Sequence, residues 1–130
     1  LNCIPAWLKL IQTGGRGGSR VKKYTLLVLT NAIAGKEREF NEWYTSRHIR
    51  DLLEVPGVAS AQRFQFLGGK EGFGFLALYE LLTDDPEGVL ATIRERDRNG
   101  THVISEAVDR GNLFAGIFEP ITERISANRR

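Results

Sequence analysis

Residues 36–57 read KEREFNEWYTSRHIRDLLEVPG, and the organisation of the chain follows from them. The first twenty hold neither glycine nor proline, so nothing interrupts a helix from Lys36 to Val55. Pro56-Gly57 ends it, because a residue before proline is pushed out of helical geometry. At about 100° per residue, Phe40, Tyr44, His48, Asp51, Leu52 and Val55 fall on one side. That side is apolar at its ends and polar in its middle, which suits a pocket wall better than a packed core. His48 can touch Tyr44 four residues earlier, and Asp51 three residues later can accept from a ring nitrogen. An imidazole so placed can take or donate a proton near neutral pH.

Working outward, Tyr24–Thr30 (YTLLVLT) is a β-branched and apolar run that predicts a strand buried on both faces. Downstream, Ala59–Phe66 predicts a second strand, and Gly68-Gly69-Lys70-Glu71-Gly72 a turn into a third over Phe73–Leu82. Asp84 or Asp85 can cap a second helix with Pro86 and Glu87 in its first turn, running to Arg98 before Asn99-Gly100. A short helical piece over Thr101–Val108 and a last strand over Leu113–Ile117 complete the chain. The order β-α-β-β-α-β is that of an α+β, ferredoxin-like antiparallel sheet with both helices on one face. The strands alternate apolar residues onto both faces, with Phe64 and Phe66 together on the second, and Leu76, Leu78 and Leu82 opposite Phe75 and Tyr79 on the third. A bare sheet face of that composition is a large apolar patch, so a homodimer with facing sheets is expected.

The stretch FNEWYTSRHIRDLLEVPGVASAQRFQF, residues 40–66, resembles EthD-like members of the dimeric α/β-barrel superfamily. There, an aromatic pair precedes a histidine on the first helix, a Pro-Gly follows, and an arginine lies on the second strand. The resemblance extends over residues 21–120, and its specific part is this stretch. It implies two ferredoxin-like sheets packed into a barrel, with a small-molecule pocket between each sheet and its helices. It also implies a range of cofactor-free chemistry, from cyclases, isomerases and dehydratases to monooxygenases, so it constrains the fold more than the reaction.

The site expected from this reading has His48 and Tyr44 as its chemical groups, with Phe40, Trp43, Asp51, Leu52 and Arg63 around the substrate. Asp51 has an alternative partner in Arg47. Arg63 either faces the helices, where its guanidinium could hold a carboxylate or an enolate-like oxygen, or faces the dimer interface and pairs with an acid such as Glu80. His102, just after Gly100, is expected to be exposed.

Composition narrows the function classes. Eighteen basic residues against sixteen acidic leave a net +2, with no basic, aromatic-interleaved face for a nucleic acid. The single cysteine, Cys3, makes no internal disulfide, and two widely separated histidines suggest no metal. No apolar run reaches the roughly 18 residues of a membrane span, and a reducing cytoplasm is the expected compartment. No nicotinamide, flavin or haem pattern is present. Residues 1–20, ending in the glycine-rich GGRGGSR, are expected to be an extension and flexible linker, residues 21–120 the domain, and residues 121–130 a tail. The expected function is a cofactor-free isomerase, cyclase, dehydratase or decarboxylase acting through His48 on a cyclic or aromatic small molecule. The alternatives are a non-catalytic ligand-binding or accessory protein of the same fold and a cofactor-free monooxygenase.

Overall fold

A computed structural model describes residues 20–69 and 71–128, so the expected extension falls, but for Arg20, outside the described residues. Within them the chain forms β1 (Lys22–Thr30), α1 (Glu37–Trp43), a π turn (Tyr44–His48), α2 (Ile49–Leu53), β2 (Val58–Gln65), β3 (Phe75–Thr83), α3 (Pro86–Arg98) and β4 (Phe114–Phe118). The four strands lie in the order β2-β3-β1-β4, and every neighbouring pair is antiparallel. This is the expected α+β ferredoxin-like arrangement.

Two expectations of secondary structure need correcting. The first helix is not uniformly α-helical but passes through the π turn at its middle. Thr101–Val108 is not helical: it is an irregular segment pinned to the end of β1 by an Ala32–Val108 bridge and by Ile33 N–H donating to the Ala107 carbonyl at 2.7 Å. Its other backbone bonds are local or to α3: Val108 N–H donates to the Ser105 carbonyl at 3.4 Å, Ala107 N–H to Ser105 Oγ at 3.0 Å, and His102 N–H to the Arg96 carbonyl at 3.0 Å.

Registry assigns the two faces of the sheet. Tyr24, Leu26 and Thr30 on β1 and Ala77, Tyr79 and Leu81 on β3 are buried beneath the helices together with Phe40, Leu52, Val55, Val89, Leu90 and Ile93. The opposite face carries Leu27 and Leu29 beside Leu78 and Leu76, flanked by Phe64 on β2 and Phe114 and Phe118 on β4. Phe64, Phe114 and Phe118 are 39%, 44% and 50% exposed in the single chain, so this face is open. β1 is therefore closed in by its own chain on one side only.

Local chemistry sets the boundaries. Asn31, just past β1, donates to the Gly72 carbonyl at 3.0 Å and accepts from the Gly74 N–H at 2.7 Å, which ties the β2–β3 connection to the end of β1. Gly57 has φ +98°, and a Cβ there would lie 2.7 Å from Val89 Cγ2, so both conformation and space require glycine where the first helix gives way to β2. Asp85 Oδ1 accepts from the Gly88 N–H at 3.0 Å and caps α3, whose first position is Pro86. Replacing the cap with alanine (Asp85→Ala) should lower stability by about 1 kcal/mol. The measurement is a urea titration, with a reduced midpoint at unchanged slope.

Candidate active site

The π turn decides which side chains of the first helix point inward. At about 100° per residue, each four-residue step on an α-helix overshoots a full turn by about 40°, so Leu52 would stand about 120° round from Phe40. The wider i→i+5 turn takes up part of that drift. Phe40, Tyr44, His48 and Leu52 are consequently all buried, and all four line one cavity between the helices and the sheet. Asp51, which an unbroken helix would carry inward, instead accepts from Arg47 Nε at 3.2 Å and does not line the cavity.

The cavity holds about 200 Å³. Its floor is Leu26, Val28, Thr30 and Ala115 of the sheet, and its sides are the first helix and Leu90 and Ile93 of α3. Ile104 and Val108 of the irregular segment, with Leu113 just before β4, contribute the rest of its apolar wall. Polar character comes from His48, Tyr44, Thr30, Arg94 and Asp97. An apolar cavity of about 150 Å³ accepts benzene, so this one has room for a single substituted ring.

His48 stacks on Trp43, ring centroids 4.6 Å apart, and Tyr44 meets it edge-on at 4.9 Å. Trp43 is held in turn by its indole N–H, which donates to the Val103 carbonyl at 2.8 Å. His48 Nδ1 is buried and has no hydrogen-bond partner among the described residues. Burial first, and then electrostatic interaction with nearby His102, push the His48 pKa down from 6.5 to about 4, with Arg63 acting in the same direction and Asp51 opposing it. His48 is thus a neutral imidazole at pH 7, able to accept a proton from a ligand but not supplied with one to give. That modifies the expectation of two-way proton traffic near neutrality.

Tyr44 keeps its phenolic proton, because burial raises its pKa, and its hydroxyl is occupied: it shares a hydrogen bond of 2.8 Å with the Tyr79 hydroxyl. Arg63 faces the helices. Its two terminal nitrogens donate to Asn41 Oδ1 at 2.7 Å and Thr45 Oγ1 at 2.9 Å, and its guanidinium lies 4.4 Å from the Tyr44 ring centroid. Held there, it supports the outer flank of the first helix and does not line the cavity, while Glu80 on the open face pairs with Lys23. The structure therefore brings Phe40, Trp43, Tyr44, His48 and Leu52 together and leaves Asp51 and Arg63 outside.

Three polar residues of this region escaped the sequence reading. His102 is 3% exposed, not on the surface; its Nδ1 lies 2.8 Å from Asp97 Oδ1, and its ring stands perpendicular to that of His48 at 6.2 Å. Asp97 and Arg94 line the cavity from α3. The signal for both was present: Leu90, Ile93, Arg94 and Asp97 stand at i, i+3, i+4 and i+7, one face of a helix. No periodicity marks His102, which is placed by the irregular segment.

The fold and the site together define a class, an α+β ferredoxin-like domain with a cavity between sheet and helices. Solved structures share that fold. One is a candidate monooxygenase from Shewanella loihica PV-4, similar at a TM-score of 0.58 with 16% identity over 79% of this chain and 98% of that one. Another is an EthD-family protein from Bacillus halodurans C-125, at a TM-score of 0.54 with 19% identity over 77% of this chain and all of that one. The fold is thus that of the EthD-like group which residues 40–66 resemble. No protein-family model and no curated protein matches the sequence. Among the described residues no helix is long and apolar enough to cross a membrane, and no group of three or more His, Cys, Asp or Glu is placed to hold a metal ion.

The depressed pKa of His48 has a consequence for stability. Between 6.5 and about 4 the unfolded chain binds a proton that the folded chain refuses, so stability is complete above pH 6.5 and declines as pH falls toward 4. The loss should reach roughly 3 kcal/mol. Urea titrations from pH 8 to 4 on the protein and on His48→Gln should show the variant lacking this part of the decline.

Proposed function

We propose that this chain is a cofactor-free small-molecule enzyme, of isomerase, cyclase, dehydratase or decarboxylase type, in which His48 moves a proton on a cyclic or aromatic substrate. The observation that carries this reading is a buried, neutral His48, stacked on Trp43, at the wall of a ring-sized apolar cavity. A neutral imidazole at a cavity wall can accept a proton from a ligand O–H or acidic C–H held there. His48 acts first as a base. The negative charge left on the substrate then stabilises the imidazolium in a medium with little water, and the proton returns to another substrate atom.

A cofactor-free monooxygenase is a second reading, and the fold shared with a candidate monooxygenase favours it. The first step is the same: His48 takes the proton of a phenol, the resulting anion adds dioxygen at a ring carbon to give a peroxide anion, and that takes the proton back and loses water to leave a quinone, so the substrate itself supplies the electrons that reduce the second oxygen atom. Oxygen uptake in the presence of substrate separates the two.

We also propose that the working form is a cytoplasmic homodimer in which the open sheet faces cover one another. Leu27, Leu29, Leu76, Leu78, Phe114 and Phe118 make an apolar surface that a lone soluble chain would avoid. Light scattering at micromolar concentration should give the dimer mass, and Leu78→Glu, which sets a charge at the centre of that face, should give the monomer. A monomeric mass for the unaltered protein would refute the arrangement.

The catalytic claim is tested with His48→Gln, which keeps polarity and much of the volume. It should fold, retain ring binding, and lose about 10² to 10⁴ in turnover once a substrate is in hand. Full turnover in the variant would make His48 a binding residue and the protein a ligand-binding module.

A further inference from the structure

Arg94 and Asp97 stand three apart on α3, where opposite charges ordinarily pair, and both line the cavity. They do not pair. Asp97 is turned onto His102, its Oδ1 2.8 Å from Nδ1, and among the described residues Arg94 takes part in no ion pair. Arg94 is itself exposed, so it stands at the mouth of the cavity while His48, buried, stands within. His102 Nε2 is buried without a partner, so the imidazole is held by its bond to Asp97 and not by a second polar contact.

Building on the proposed function, we infer that the cavity takes a small ring compound bearing a carboxylate, which Arg94 receives at the mouth because His102 holds Asp97 out of the ion pair. Three observations converge on this ligand. The volume admits one ring, the walls are apolar, and of the two charged residues that line it Asp97 is hydrogen-bonded to His102 while Arg94 takes part in no ion pair among the described residues, leaving a guanidinium whose planar fork suits a carboxylate. The same ligand improves the base. A bound anion favours the imidazolium of His48 and draws its pKa back up from about 4, so proton transfer becomes easier when the site is filled by the right charge. His102 is in this account a specificity-determining residue that touches no reacting atom.

Benzoate and benzamide, alike in shape and different in charge, are the probes. Calorimetric titration of the full chain at pH 7 and low salt should show benzoate binding about fivefold tighter or more. Arg94→Gln should abolish that preference by weakening benzoate alone. His102→Gln should also weaken benzoate, by freeing Asp97 to pair with Arg94, and the double variant His102→Gln/Asp97→Asn should restore it. Should the His102 variants fail to fold, Asp97→Asn alone decides: benzoate should bind at least as tightly as to the unaltered protein, and weaker binding would overturn the role given to His102. Equal affinity for the two probes, with the His48 ring resonances moving for both, would overturn the carboxylate claim and leave the proposed function standing. If neither probe binds and the His48 resonances stay fixed, the ring-binding cavity itself is refuted.

Discussion

Four side chains spaced by four residues have to face one cavity, and an unbroken α-helix cannot hold them there. The turn at Tyr44–His48 meets that constraint with one stretch of i→i+5 bonding, which keeps Phe40, Tyr44, His48 and Leu52 on the inner side. Much else follows from that adjustment. Tyr44 reaches the Tyr79 hydroxyl on β3, which fixes the middle of the helix to the centre of the sheet. Trp43 is left against the irregular segment, where its bond to the Val103 carbonyl holds the stacking plane for His48. Asn41 and Thr45 are brought over Arg63, so the first helix is fastened on its other flank as well.

The electrostatics of the region follow from its packing. Arg63 is held by two neutral side chains and three aromatic rings, its Nε buried without a partner, and Asp51 is paired with Arg47; neither lines the cavity. Asp97 is engaged by His102. What remains inside is a neutral imidazole among apolar walls, with a guanidinium at the edge. Such a site favours a ligand that brings its own acidic proton and its own negative charge, and water competes poorly for the same positions.

The strand and helix order was legible in the sequence because each boundary carries its own chemistry. Pro56-Gly57, Asp85-Pro86 and Asn99-Gly100 stop or start helices by steric and capping effects that need no tertiary context. The inward set Phe40, Tyr44, His48 and Leu52 was legible too, though for an incomplete reason: uniform helical spacing placed Asp51 among them, and the change of pitch that excludes it leaves no mark in composition. Alternation puts Arg63 opposite Phe64, but its direction was open because nothing local tells which face of β2 meets the helices; pairing of Arg63 with the buried Ala77 decides it. His102 was misjudged for a related reason. Its burial depends on where β1 pins the irregular segment through Ala32 and Val108, a long-range pairing with no local pattern.

That His48 is a neutral imidazole enclosed at the cavity is tested most directly by the titration of its own ring. Nitrogen-15 spectra of the two histidines, assigned with His48→Gln, follow the protonation of each from pH 8 to 3.5. His48 should stay neutral through pH 6 and gain its proton with a midpoint near 4. A midpoint near 6.5, the value of a solvated histidine, would mean that His48 is not enclosed and that the cavity is not the site described.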